Sequence, residues 1–372
     1  MEIRSALPNS STGLKIRPAE KCKWDAVSLG EVLLRFDPGE ERITGARTFR
    51  VWEGGGEYNV VRGLRRCFGL RTSIVTALVD NPIGRLVEDL MLQGGVDLSH
   101  VRWLEFDGIG TAARNGIYFL ERGSGVRRGL GVMDRGHSAI SQMKPGEVDW
   151  DKLFGEEGVR WFHTGGIVAA LSPNATEVVR EAMTAARRHG TVVSFDCNYR
   201  RSLWESRGGR AGAIAVNRSL APLVDVFFGH EGDLASVVGE SSLAPVWHTL
   251  ESFSAMTAKL SVEFPNLKVI ATSTRQVHSA SSNGWGAYGY AERTAVKGMQ
   301  FERVEIFDRV GGGDSFASGV IFGLLSGKNL GWSLDCGVAH GALTMTTAGD
   351  SSRVVLAEVE QLMAGAPPAT IR

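Results

Sequence analysis

Three segments of this chain combine residue types that could do chemistry. The first is Asp308-Arg309-Val310-Gly311-Gly312-Gly313-Asp314-Ser315-Phe316, which runs into an apolar helical stretch, Ser315 to Leu325. Three glycines at a helix start let several backbone N–H groups converge on one point, and the helix dipole adds roughly half a positive charge there. Such a place suits a phosphate. Asp314 stands beside it as a proton acceptor. Phosphoryl transfer needs this pairing: donors for the phosphoryl oxygens and a carboxylate for the attacking hydroxyl. On its own the segment also reads as a glycine turn with Asp314 as an ordinary N-cap.

The second segment, Glu53-Gly54-Gly55-Gly56-Glu57-Tyr58-Asn59, also opens a helix. Paired glycines bring backbone close to a small polar molecule, and Asn59 offers both a donor and an acceptor. The third, Phe195-Asp196-Cys197-Asn198-Tyr199-Arg200, follows a buried strand. Arg200 could clamp a carboxylate or phosphate through its fork of donors. Asp134-Arg135, with Tyr118, offers a second arginine that could read an anion. Taken singly, the glycine cluster reads as a turn and each arginine as a surface charge.

Other motifs fail. Gly323 to Lys328 is one residue short of a Walker A loop, and Asn329 stands where Ser or Thr is required. No Gly-x-Gly-x-x-Gly opens a helix after the first strand, which disfavours a dinucleotide site. Gly313-Asp314-Ser315-Phe316-Ala317 approaches a hydrolase elbow, but no apolar strand runs straight into it.

The elements that must position these residues alternate from about residue 25. Asp25–Leu29, Arg71–Leu78, Val159–His163, Thr191–Phe195, Leu223–Phe228 and Leu267–Ala271 are continuous apolar runs, as expected of strands covered on both faces. Helical spacing marks Tyr58–Phe68, Ile83–Leu92, Asn174–Arg188 and Val246–Phe264. The expectation is an α/β fold, a doubly wound and mostly parallel sheet with helices on both faces. Ligands in such folds bind beyond the carboxyl ends of the strands. Val32–Trp52 and Gly110–Arg135 alternate apolar and polar residues around turn glycines. They are expected to form one small antiparallel sheet, a lid over the cleft.

Composition narrows the classes. The chain has 372 residues, 47 of them glycine, with 11 prolines and no Gly-X-Y period, which excludes collagen and low-complexity disorder. Lys plus Arg and Asp plus Glu are 41 each, so no basic excess suggests nucleic acid. No apolar run reaches the length of a membrane span. Residues 1–24 are expected to be a loose extension and 25–372 the folded domain. The cysteines Cys22, Cys67, Cys197 and Cys336 are widely spaced, so neither disulfides nor zinc are expected, and a cytoplasmic location is the default.

Together the segments resemble the PfkB-type, ribokinase-like carbohydrate kinases, over nearly the whole chain from about residue 25. Gly54-Gly55-x-x-x-Asn59 is similar to the family's N-terminal signature and Asp308 to Phe316 to its C-terminal one. Two signatures in order, about 250 residues apart, are more specific than either alone. Asp196-x-Asn198-Tyr199-Arg200-x-x-Leu203-Trp204, Asp134-Arg135-x-x-Ser138-Ala139 and Thr272-x-Thr274-Arg275 resemble the 2-keto-3-deoxygluconate kinases within it. The resemblance implies a large α/β domain with a β lid, and transfer of the ATP γ-phosphate to a sugar-acid hydroxyl with magnesium and in some relatives a monovalent cation. It implies Asp314 as general base, with Gly311, Gly312 and Gly313 as the anion hole. Gly55, Gly56, Asn59, Tyr118 and Asp134 would lie at the sugar, and Arg135 and Arg200 at its carboxylate or the transferring phosphate. Asn198, His230, Ser273 and Arg275 would stand toward the nucleotide, and Asp233 toward magnesium. A homodimer through the lid is implied, with no nucleic-acid or membrane partner. His230-x-x-Asp233 departs from the family's frequent Asn-x-x-Glu, and Ala348 stands where Pro is common. A neutral sugar as acceptor, or a non-catalytic sugar-binding role on the same scaffold, are the alternative readings.

Overall fold

Apolar runs become strands here because both of their faces are covered. The computed structural model describes residues 12–229, 231–237 and 249–366. The chain begins with β1 (Trp24–Leu29), β2 (Leu33–Asp37), β3 (Arg50–Gly54), α1 (Gly56–Arg66), β4 (Thr72–Val79), α2 (Pro82–Gly94) and β5 (Val101–Leu104). Two strands, β6 (Ile117–Glu121) and β7 (Leu130–Asp134), precede β8 (Val159–Gly165), α3 (Gly166–Leu171), α4 (Pro173–Arg188) and β9 (Val192–Asp196). Then come α5 (Arg201–Trp204), α6 (Gly209–Leu220), β10 (Val226–Phe228), α7 (Glu231–Val237), α8 (Leu250–Glu263) and β11 (Val269–Ser279). The chain closes with β12 (Ser282–Ala291), β13 (Thr294–Glu305), α9 (Gly312–Leu325), α10 (Leu330–Thr344) and α11 (Leu356–Met363).

The main sheet runs β13-β12-β11-β10-β9-β8-β1-β4-β5. From β5 to β11 neighbouring strands are parallel. The chain winds outward from β1 in both directions, so the topological switch lies between β1 and β8, where such folds bind ligands. Successive residues of one strand feed opposite cores. Phe162 and Val193 pack with α4, α6 and α8, while Trp161 and Val192 pack with α1, α9 and α10.

Several elements differ from the sequence expectation. The lid sheet runs β3-β2-β6-β7, and its central pair β2/β6 is parallel, not antiparallel. The alternation of a strand reports which face is buried, not the direction of a partner about 80 residues away. The strand read to end at Ala271 continues to Ser279, and the antiparallel pair β12 and β13, which the apolar-run criterion passed over, extends the sheet edge. Part of the helix expected over 246–264 falls outside the described residues, and its described portion is α8. Within residues 12–23, Arg17 Nη1 donates to the Phe154 carbonyl at 2.6 Å, and Leu14 and Ile16 pack against the core. Residues 1–11 lie outside the described set. No helix among the described residues is long and apolar enough to cross a membrane, and all four cysteines are buried free thiols.

Candidate active site

A cleft of about 1340 Å³ opens where β1, β8, β9, β10 and β11 end, with the lid sheet on one side and the start of α9 on the other. Gly311 caps α9 in the left-handed region (φ 79°), and no side chain caps that helix end. A Cβ on Gly311 would sit 1.8 Å from the Asp350 carbonyl oxygen, so only glycine can make this close approach. The first amides of α9 therefore face the cleft, as an anion site requires.

Asp314 is the third residue of α9, not its N-cap, and sits half-buried at the cleft floor. Asn59 Nδ2 donates to its Oδ2 at 2.7 Å, and Asn59 Oδ1 accepts from Ser351 Oγ, which fixes the amide. Burial pushes the Asp314 carboxyl up to about 7, Asn59 opposes that rise, and the charges of Asp196 and Asp350 add to it.

The second glycine cluster works by close approach. A Cβ on Gly55 would lie 2.0 Å from the Glu31 carbonyl, and Gly56 sits between Asn198 Nδ2 and Asp314 Oδ1. Asn198 is left-handed (φ 33°), and its N–H donates to Asp196 Oδ1 at 3.0 Å, an Asx turn at the strand end. Burial raises Asp196 to about 6, Asp233 adds to the rise, and Arg200 opposes it.

Thus Asp314, Gly311, Gly312, Gly313, Gly55, Gly56, Asn59, Tyr118, Arg135, Asn198, Arg200, Asp233, Ser273 and Arg275 all line one cleft. Their partners differ from expectation in three places. Arg135 is paired with Glu31. Tyr118 donates its hydroxyl to Asp350 and is buried. Asp134 does not line the cleft: it is exposed and bonded to Arg114 at 2.6 Å, because alternation along β7 turns it to the opposite face from Met133. His230 lies outside the described residues. Burial, with Arg309 nearby, lowers the Arg275 guanidinium from its usual range.

Sequence reasoning missed Glu57, Glu31 and Arg35. Burial, opposed by its own backbone N–H and reinforced by Asp314 and Asp196, raises the Glu57 carboxyl to about 8, and its Oε2 has no hydrogen-bond partner among the described residues. Gly30 and Gly165 make room for it, since a Cβ on either would come within 3 Å of that side chain. A carboxyl inside an apolar helix start and an arginine inside the strand Leu33-Leu34-Arg35-Phe36 were the available signals.

Residues 24–355 match the family described as pfkB family carbohydrate kinase. The chain is 30% identical over 342 residues to a 2-dehydro-3-deoxygalactonokinase of Haloferax volcanii, covering 92% of this chain and 97% of that one. It is 25% identical over 337 residues to a 5-dehydro-2-deoxygluconokinase of Clostridium perfringens, covering 88% and 89%. The crystal structure of a 2-dehydro-3-deoxygluconokinase from Thermotoga maritima superposes with a TM-score of 0.82 at 31% identity, covering 91% of this chain and 99% of that one.

Proposed function

The chain belongs to the pfkB family of carbohydrate kinases, and from that premise we propose that it transfers the ATP γ-phosphoryl group to a hydroxyl of a sugar acid, foremost 2-keto-3-deoxygluconate, giving its 6-phosphate. The observation that carries this reading is the Asp314 carboxyl, oriented by Asn59 beside the open amide end of α9. The acceptor hydroxyl gives its proton to an Asp314 oxygen as its own oxygen bonds to the γ-phosphorus, the bond from that phosphorus to the β–γ bridging oxygen breaks, and ADP leaves with the electron pair. The Gly311–Gly313 amides hold the charge on the phosphoryl oxygens. A carboxyl held near 7 suits this task, since about half of it is free to accept a proton at neutral pH while its basicity is well above that of an ordinary carboxylate.

Magnesium fits the site. Asp233 and Asp196 present hard oxygen donors to the cleft, and Asp196 is raised partly by the neighbouring Asp233 charge. Among the described residues no cluster of three or more His, Cys, Asp or Glu could cage a metal, which agrees with an ion held mainly by substrate phosphates. When bound it would neutralise phosphate oxygens. Ser273 and Arg275 stand on β11 where the nucleotide would lie.

Arg200 is exposed at the cleft rim, its guanidinium bonded to the Tyr199 carbonyl at 3.2 Å, whereas Arg135 is held by Glu31. Arg200 is therefore the arginine expected to dominate recognition of the acid. The Glu31–Arg135 pair, which neutralises one cation, favours the second reading, a neutral sugar. A coupled kinase assay over 2-keto-3-deoxygluconate, its galactonate epimer, 5-keto-2-deoxygluconate, fructose and ribose separates the two. Arg200→Ala should raise KM for the sugar acid more than about tenfold, as loss of a charged pair does. An unchanged KM, or turnover confined to fructose or ribose, overturns the sugar-acid assignment.

A further inference from the structure

Beneath the edge of the lid lies a cluster that the reaction above does not use. Arg35, on β2, is fully buried at 0% exposure. Its Nη2 donates to Asp37 Oδ2 at 3.0 Å and Asp308 Oδ2 at 2.5 Å, and its Nη1 to Asp350 Oδ1 at 2.8 Å. Tyr118, opposite Arg35 in the β2/β6 register, donates to the other oxygen of the same Asp350. Arg122, just after β6, approaches Asp37 at 3.5 Å and lays its guanidinium over the Phe307 ring at 4.4 Å.

The three carboxylates on Arg35 come from three separate pieces of chain. Asp37 belongs to the lid. Asp308 opens the glycine turn: its Oδ1 accepts from Val310 N at 3.2 Å and its Oδ2 from Gly349 N at 3.3 Å. Asp350 lies under that turn, its carbonyl packed against Gly311 so closely that no Cβ fits. One planar fork thus grips both segments that shape the anion-binding amides, and it does so from the lid sheet. Lysine, a point charge, could not satisfy three carboxylates in fixed directions. A buried pair of this kind adds little net stability over an apolar filling, so its geometry is the property most open to use.

We propose that Arg35 is a positioning residue for phosphoryl transfer, its guanidinium tying lid strand β2 to the Asp308 and Asp350 segments so that the lid and the Gly311–Gly313 amides are held in one register. Arg35 touches neither acceptor nor nucleotide, and it acts through Asp308 and Asp350. The activity arm of the test rests on the kinase reading, whereas the exchange arm does not.

The test compares Arg35→Lys and Arg35→Gln with the unaltered protein, per folded molecule. Misplaced amides should lower kcat about 100-fold, the scale of losing one oxyanion donor. KM for the sugar acid should stay within about threefold, because ground-state contacts at Asn59 and Arg200 remain. Hydrogen exchange should quicken across residues 308–314 and leave α10 unchanged. Methylguanidinium should restore part of the kcat of Arg35→Ala. If Arg35→Gln does not fold, Arg35→Lys, which keeps the charge, decides. A folded Arg35→Lys with unaltered kcat and unaltered exchange over 308–314 overturns the proposal. If the unaltered protein phosphorylates no sugar acid, the sugar-acid assignment fails, and the exchange measurement still decides the positioning role.

Discussion

In the proposed reaction Asp314 takes the proton from an alcohol at neutral pH, and burial has moved its carboxyl from the ordinary range near 3.8 to about 7. Base catalysis needs the deprotonated form, so kcat/KM should rise with pH through about 7 and level off above it. Asn59 stabilises the charged form, so Asn59→Ala should move that rise to higher pH. A profile that stays in place would show that the hydrogen bond does not tune the base. Asp314→Asn should lower kcat by about a thousandfold, within the range for a general base. The same shift bears on stability with the opposite sense. The folded protein holds this proton more tightly than the unfolded chain, so its contribution is fully present below about pH 4 and is lost as pH rises through about 7. Asp314→Asn should therefore gain melting temperature over the unaltered protein between pH 5 and pH 8. Thermal melts at the two values decide it, and no widening of the gap refutes the burial cause.

At the scale of elements, the glycine turn is the feature least able to change. Gly311 is left-handed and pressed on the Asp350 carbonyl. Gly311→Ala should cost about 3 kcal/mol from backbone strain and collision and abolish phosphoryl transfer, because the turn must move away from α9. Gly313, by contrast, has no atom within 4 Å of an added Cβ. Gly313→Ala should keep the melting temperature within about 2 °C, and any loss of turnover would then report crowding of the bound phosphate. Equal loss of stability in both variants would show that the turn is not held by Asp350. The lid is held as an element too: the turn after β6 bonds to the β11–β12 turn, with Ala280 N donating to the Gly125 carbonyl at 2.8 Å.

Across the whole molecule, chemistry and stability occupy opposite ends of the parallel strands. The cleft lies at their carboxyl ends. At the amino end of β1, Asp25 accepts from Arg71 through its backbone N and its side chain, and from Arg160 at 3.1 Å. These bonds lower the Asp25 carboxyl against the opposing effect of burial. Its contribution to stability is present above the unfolded value near 3.9 and is lost as pH falls through the lower folded value. Asp25→Asn should cost about 2 kcal/mol at pH 7, the scale of lost hydrogen bonds to a charged group, with kcat unchanged. A fall in kcat without a fall in melting temperature would contradict this division. Charge balance is arranged locally in the same way: the chain's net charge is zero, while Arg35, Arg135 and Arg200 each work against named carboxylates.

By itself the sequence determined whatever depends on near neighbours. Alternating apolar runs and helical spacing specify a doubly wound sheet, and glycines followed by Asp314 or Asn59 at helix starts mark two walls of the cleft. These signals are local because strand burial, helix period and turn chemistry act over a few residues. Tertiary structure alone decided which charges meet. Arg35 finds Asp350 across 315 positions, Arg135 is claimed by Glu31 across 104, and Asp134 turns out of the cleft to Arg114. The parallel pairing of β2 with β6 and the slot that Gly30 and Gly165 leave for Glu57 are likewise contacts between distant segments. Burial, which gives Asp314, Glu57 and Asp196 their shifted protons, comes into being only when those segments close on one another.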